Sequence, residues 1–382
     1  MNNLSDLILR ALDAELVPFL EGKPGIGKTQ SIRSVANECN LKLMDVRLST
    51  KDVTDISGLP SKVSVTLTDG TQDDRIMHIT STLFPLEGDE LPLKYKNGKT
   101  YYEDEIDDKG NVVIDKKTGK PNQVLARYDG WLVCFEELTS CVPAMQAAAF
   151  RILLEREVGE RKLHPCVEMV ATGNRKQDKA VVVPMSTPMR TRLCFIEVKD
   201  DFNAWVRWAR KSNVDDRIIS YLQWRPEMLF AFDPNIEQLN CPVPRTWEFA
   251  DRLLKQDTGT YDQPDSLTCE LLAGVIGKAV HEFLSFLAIY KNLISINEIL
   301  KDPANAELPP EGGHQFALTG IIANELAKDK NVKDLAIYID RMEPELQTVT
   351  YMDGFRKNRK IMGNAAVLSW VQKNQDMINA EI

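Results

Sequence analysis

Two kinds of hydrophobic spacing divide this chain. Up to about residue 200, short apolar runs bounded by turn residues alternate with segments of helical period, and beyond it helical spacing takes over. Residues 4–14 read as a short amphipathic helix, and Val17-Pro18-Phe19-Leu20 suits a buried strand. Lys42 to Leu48 is a second strand candidate. Residues 49–60, rich in Ser, Thr and Asp caps and ending Gly58-Leu59-Pro60, predict a loop or short helical turn. Residues 61–83 alternate in places (Val63, Val65, Leu67; Ile76, His78) around Asp69-Gly70, a hairpin signal. Residues 85–129 are mixed in charge and punctuated by Asn97-Gly98, Lys109-Gly110 and Thr118-Gly119, with Val112-Val113-Ile114 between two of the turns. That pattern predicts a projecting β-ribbon.

Gly130-Trp131-Leu132-Val133-Cys134-Phe135 is a continuous apolar run, the signature of a strand covered on both faces. A helix is predicted over 143–156, further strands at 167–174 and before Ile196, and helices from about 201 onward. Trp205, Trp208, Ile218, Ile219, Leu222, Met228 and Leu229 are core candidates there. Residues 270–300 are strongly apolar, with Gly274 and Gly277 predicting close helix packing. Residues 301–313 form a Pro/Gly-rich loop, and 314–382 return to helical period. No repeat or low-complexity segment is evident. The expected organisation is an α/β domain over 1–200, with an insertion at about 85–129, and a helical domain with a helical extension over 201–382.

Composition adds bounds. A chain of 382 residues, 43% hydrophobic, can bury a large core in two domains. Its net charge of −9 gives no global basic excess for a nucleic-acid duplex. Seven cysteines without a C-x-x-C pair argue against a disulfide framework or zinc site, and predict buried free thiols in a reducing cytoplasm. The first residues carry no basic cluster, and no stretch is expected to approach a membrane span.

The chemistry starts at Gly22-Lys23-Pro24-Gly25-Ile26-Gly27-Lys28-Thr29, which fits G-x-x-x-x-G-K-[ST] at every fixed position. Glycines let the backbone N–H groups converge on a polyphosphate at a helix N-terminus. Lys28 can reach the β and γ phosphates, and Thr29 can ligate Mg²⁺. A strand before and a helix after give the context the motif needs. The run at 130–135 then ends in Glu136-Glu137, where a parallel strand presents ligands at its carboxyl end. Glu136 suits the Mg²⁺ shell and Glu137 the polarisation of attacking water. An acidic lead-in to the following helix is the plainer reading, which the upstream loop outweighs. Asn174 ends the next strand, where a neutral amide can orient water. Arg190 and Arg192 precede the last strand, where a fixed guanidinium can neutralise phosphoryl charge. Arg245 falls near the start of the helix opened by Pro242-Val243-Pro244.

With these elements in order, the chain resembles the AAA+ ATPases, in particular the MoxR-like branch related to dynein and McrB motors, over most of its length. Gly22–Thr29 matches the Walker A loop and Leu132–Glu137 Walker B. Asn174 matches sensor 1, Arg192 the arginine finger, with Arg190 an alternative, and Arg245 sensor 2. Asp52–Pro60 looks like the start of the helix-2 insertion, and Leu153–Leu163 like the segment leading to the hairpin before sensor 1. The resemblance implies a P-loop αβα sandwich followed by a helical lid, ATP/ADP with Mg²⁺, and a homo-oligomeric ring, a hexamer, that completes each site in trans. It also implies work on a protein substrate or a von Willebrand A-domain partner. Walker B usually ends Asp-Glu. The extra methylene of Glu136 moves its carboxylate by about one bond length, enough to slow hydrolysis where geometry must hold to about half an ångström. Two other readings stay open: a nucleic-acid-acting motor using Arg207, Arg210, Lys211 and Arg217, and a nucleotide-stabilised assembly protein with little turnover.

Overall fold

The structure is a computed structural model that describes residues 4–106, 110–115, 118–178, 182–233, 235, 240–310 and 312–381. It divides into two units, Met1–Lys199 and Asp200–Ile382. The first opens with α1 (Leu4–Asp13), β1 (Val17–Glu21), α2 (Lys28–Glu38), β2 (Leu41–Arg47) and α3 (Val53–Ser57). An antiparallel hairpin, β3 (Leu59–Thr66) and β4 (Gln72–Ile79), turns at the anticipated Asp69-Gly70, with Gly70 at φ 84°.

The stretch predicted as a β-ribbon is β-structured in small pieces. β5 (Tyr95–Lys96) and β6 (Lys99–Thr100) fold back at Asn97-Gly98, both with positive φ, and β7 (Tyr102–Asp104) pairs with β8 (Gln123–Leu125). Single bridges join Ile106 to Val112 and Ile114 to Pro121. Lys109, one of the predicted turn residues, lies outside the described residues. Frequent turns and largely exposed strands leave little apolar face to hold one long register.

β9 (Gly130–Glu136), α4 (Pro143–Glu155), the short hairpin β10 (Glu157–Val158) and β11 (Arg161–Lys162), β12 (Val167–Gly173), α5 (Thr187–Arg190) and β13 (Leu193–Glu197) complete the first unit. β13-β1-β12-β9-β2 form one five-stranded sheet, parallel at every pairing. The continuous apolar runs are explained by burial on both faces. Trp131, Val133 and Phe135 enter one core with Ile152 and Leu153 of α4. Leu132 and Cys134 enter the other with Ile8 of α1 and Ile32 and Val35 of α2. Strand side chains alternate, so consecutive residues serve opposite cores.

Among its described residues the regular structure of the second unit is all helical: α6 (Phe202–Lys211), α7 (Asp216–Trp224), α8 (Pro244–Leu254), α9 (Ser266–Ile276), α10 (Val280–Ile289), α11 (Ile296–Lys301), α12 (Gly313–Leu326), α13 (Val332–Ile339), α14 (Pro344–Lys357), α15 (Leu368–Lys373) and α16 (Gln375–Glu381). Tyr221, Trp247, Phe283 and Phe286 centre one core, and Tyr338, Tyr351 and Phe355 another. The fold class read from the sequence, a phosphate-loop α/β sandwich on a parallel sheet followed by an all-helical part, is the one observed.

Three expectations need correction. Ser266–Lys301 is long and apolar enough to cross a membrane by length and composition, although no such stretch was expected. Gly277, at φ 52°, breaks it between α9 and α10, whose Leu272, Ile276, Phe283 and Phe286 sit in the helical core. The two glycines do not mediate close helix packing. A Cβ on Gly274 would meet nothing within 4 Å, and one on Gly277 would meet the Asn240 carbonyl oxygen at 2.7 Å. The thiols are all free, as expected, but only Cys134 and Cys141 are buried, and Cys166 is exposed. Burial pushes the Cys141 thiol up to about 11 and that of Cys134 well above the usual range. Under native conditions at pH 8, Cys166 should therefore alkylate first, with Cys134 and Cys141 reacting only after denaturant. Mass-spectrometric mapping that finds Cys134 labelled as fast as Cys166 would contradict this packing.

Candidate functional site

The parallel sheet brings three strand ends together. β1 runs into the glycine loop, β9 ends at Glu136, and β12 ends one residue before Asn174. Side-chain parity then does the positioning. Glu136 shares the face of Leu132 and Cys134, which α2 covers, and α2 carries Thr29 in its first turn. The Thr29 hydroxyl accordingly donates to Glu136 Oε1 at 2.8 Å. Asn174 follows the same parity as Val170, and its Oδ1 accepts from Lys28 Nζ at 3.2 Å. Lys28 also donates to the carbonyl oxygens of Gly22, at 2.5 Å, and Lys23, at 3.1 Å.

Loop geometry depends on its glycines. Gly25 and Gly27 hold φ of 76° and 101°, in the region that side chains disfavour. Gly22 is buried, and a Cβ there would lie 3.0 Å from the Val198 carbonyl oxygen. Ile26 packs against the core under α2, anchoring the loop, while Pro24 is exposed.

Glu137 breaks the strand. Its φ of 60° is left-handed, which turns its side chain out of the alternation. Its amide donates to Thr172 Oγ1 at 3.3 Å, and its carboxylate accepts from Ser49 Oγ at 2.5 Å. Arg47, paired in register with Glu136, donates to Glu136 Oε2 at 3.1 Å and stands 3.9 Å from Glu137. Those contacts, led by the Glu136 hydrogen bond, raise the Arg47 guanidinium further above its usual range. Glu136 is 8% exposed, so Thr29 and Arg47 compensate a charge that would be costly alone. Asp45, opposite Cys134 in register, brings a further carboxylate near Glu136. Burial, then the Glu136 charge, raises its pKa.

Thr139 links the strands. Its hydroxyl accepts from the Asn174 amide at 3.0 Å and lies 3.3 Å from the Asn174 carbonyl. Neither it nor Arg47, Ser49, Asp45 and Thr172 was marked by a motif. Arg47 and Asp45 could have been found from parity once β2 was known to neighbour β9.

Two anticipated residues of the first unit stay apart from this cluster. Arg190 ends α5 and Arg192 precedes β13, both exposed; Arg192 lies 5.7 Å from the Phe150 ring centroid. Leu193 pairs with Val17, the first residue of β1, so Arg192 sits at the amino edge of the sheet. The loop lies at the other edge, about 15 Å away at roughly 3.3 Å per strand residue. Arg245 is exposed in the first turn of α8, in the second unit.

The donor set fits Mg²⁺ in character. A hydroxyl and carboxylates are hard oxygen ligands, whereas the Cys134 thiol nearby is soft and held protonated by burial. No protein-family model and no curated protein matches the chain. Among solved structures 151 chains match. One is a proposed ATPase of Cytophaga hutchinsonii, 12% identical over 99% of this chain and 88% of that one, with a TM-score of 0.30. A likeness that distant carries no residue role across.

Gly173 sets the spacing between β12 and its neighbours. An added Cβ would overlap the Phe19 ring and lie 2.8 Å from Thr139 Cγ2. Gly173→Ala should therefore cost about 1–3 kcal/mol, read from urea unfolding, because Thr139 and the Asn174 amide must part. An unchanged midpoint would show that the strand ends are looser than described.

Proposed function

We propose that this chain is an AAA+ ATPase of the MoxR-like kind, a cytoplasmic motor that assembles into a ring and uses ATP hydrolysis to remodel a protein partner. The observation that carries the reading is the meeting of Lys28 with Asn174 and of Thr29 with Glu136, the residue before Glu137, at the carboxyl edge of one parallel sheet. ATP is the substrate that a glycine loop with a Lys-Thr ending suits, since its amides and ammonium both seek phosphate oxygens.

Thr29 and Glu136 would hold Mg²⁺, which when bound supplies Lewis acidity against the phosphate charge. Lys28 gives up its contacts with the Gly22 and Lys23 carbonyls and Asn174 to take phosphate oxygens instead. Glu137, whose Oε2 accepts from Ser49, accepts a proton from the attacking water. Asn174, held by Thr139, orients that water. Arg192 or Arg190, at the far edge of its own sheet, serves the site of the neighbouring subunit. Arg245 reads the γ phosphate from the helical unit. Seven unpaired thiols fit a reducing compartment.

Lys28→Ala should abolish MgATP binding. Glu137→Gln should bind it with little change and lose about 10²–10⁴-fold in turnover. Phosphate release by Glu137→Gln at the wild-type rate would end its assignment as the base. Mixing tests the trans site. Arg192→Ala subunits combined one-to-one with Lys28→Ala subunits should recover about a quarter of wild-type turnover, the random share of head-to-tail interfaces with both parts intact. Absence of recovery in a mixed ring, with Arg190→Ala behaving likewise, would place the finger elsewhere.

A further inference from the structure

The second unit contains a cavity of about 850 Å³ whose charge opposes that of the chain. Its walls carry Arg207, Arg210, Lys211, Arg356, Lys357 and Arg359 against three carboxylates, in a protein of net charge −9. The carboxylates are already engaged. Asp353 is buried between Arg210 and Arg356, the latter at 3.5 Å. Asp216 holds Lys357 at 2.8 Å, and Asp215 is taken by the buried Arg217 at 2.7 Å. Among the described residues, exposed Arg207 and Lys211 have no carboxylate partner.

Helix-end electrostatics explains only part of this. Arg210 and Lys211 close α6, and Arg356 and Lys357 close α14, where cations complement the terminal carbonyls. Two helix ends present together about one unit of negative charge, less than the two positive charges of Arg207 and Lys211. Arg207 lies a turn before the end of α6 and Arg359 beyond the end of α14, so neither is a helix-end cation.

We infer that this cavity binds a small anion carrying two or more phosphate groups. Guanidinium forks match phosphate oxygens two at a time, and a volume of several hundred cubic ångströms suits a ligand of nucleotide size. Asp353 keeps Arg210 and Arg356 fixed in the floor, while Arg207, Lys211 and Arg359 stand at the rim. Half-exposed Tyr261 adds a ring to the wall, 4.6 Å from the Arg217 guanidinium. A nucleic-acid strand would need a track of several stacking rings, and among the described residues Tyr261 is the one aromatic side chain lining the cavity. The site lies wholly in the second unit and does not depend on the phosphate loop or on the ATPase reading.

The test uses the full-length Lys28→Ala protein, so that the loop cannot hold the probe, and titrates sodium tripolyphosphate calorimetrically. Saturable binding is expected, weakened about tenfold or more in the added triple variant Arg207→Gln, Lys211→Gln, Arg359→Gln. Should the triple variant fail to fold, Arg207→Gln and Lys211→Gln singly should each weaken binding several-fold with the melting temperature unchanged. No heat from the Lys28→Ala protein, or equal affinity in the rim variants, overturns the site. A deoxythymidine 20-mer that binds the Lys28→Ala protein and is not displaced by tripolyphosphate also overturns it, in favour of a nucleic-acid surface.

Discussion

One hydrogen bond fixes the geometry on which the site depends. Thr29 and Glu136 are 107 residues apart in the chain and 2.8 Å apart in space. Their meeting requires that β9 run parallel to its neighbours, that it end at residue 136, and that even-numbered positions face α2. Each condition is enforced by apolar packing. A one-residue slip of β9 would send Leu132 and Cys134 to the wrong core and Glu136 away from the loop. The polar site thus inherits its precision from the two hydrophobic cores beneath it.

Around that bond, the polar groups satisfy one another. Lys28 rests on two loop carbonyls and Asn174, Glu136 on Thr29 and Arg47, and Glu137 on Ser49. Buried charge without partners would cost several kcal/mol, so these contacts let the loop and carboxylates stay folded together. They are also contacts that a triphosphate and a divalent cation can replace with like chemistry, amide and ammonium to phosphate, hydroxyl and carboxylate to metal. The longer side chain of Glu136, where the resembled family has Asp, still reaches the Thr29 hydroxyl.

Much of this was legible in the sequence because strand parity and burial leave a direct trace. The run 130–135 could only be a strand covered on both faces, and the loop motif named its own ligand chemistry. Strand order leaves no such trace. That β2 adjoins β9, and so delivers Arg47, Asp45 and Ser49 to the carboxylates, depends on a long-range pairing that no local pattern encodes. Glycine was ambiguous for a related reason: Gly173 and Gly277 both matter, the first through close approach and the second through a positive φ, while Gly274 meets nothing. The small β-pieces of 85–129 were visible only as turn signals, since exposed strands carry little hydrophobic patterning.

The central claim is that loop, carboxylates and amide surround a single triphosphate. A calorimetric titration of the unmodified chain with ATP, run with Mg²⁺ and again with EDTA, tests it most directly. The account predicts one nucleotide per chain, a higher melting temperature on saturation, and weaker binding when Mg²⁺ is withheld. Titration without heat, together with an unmoved melting temperature, would contradict it.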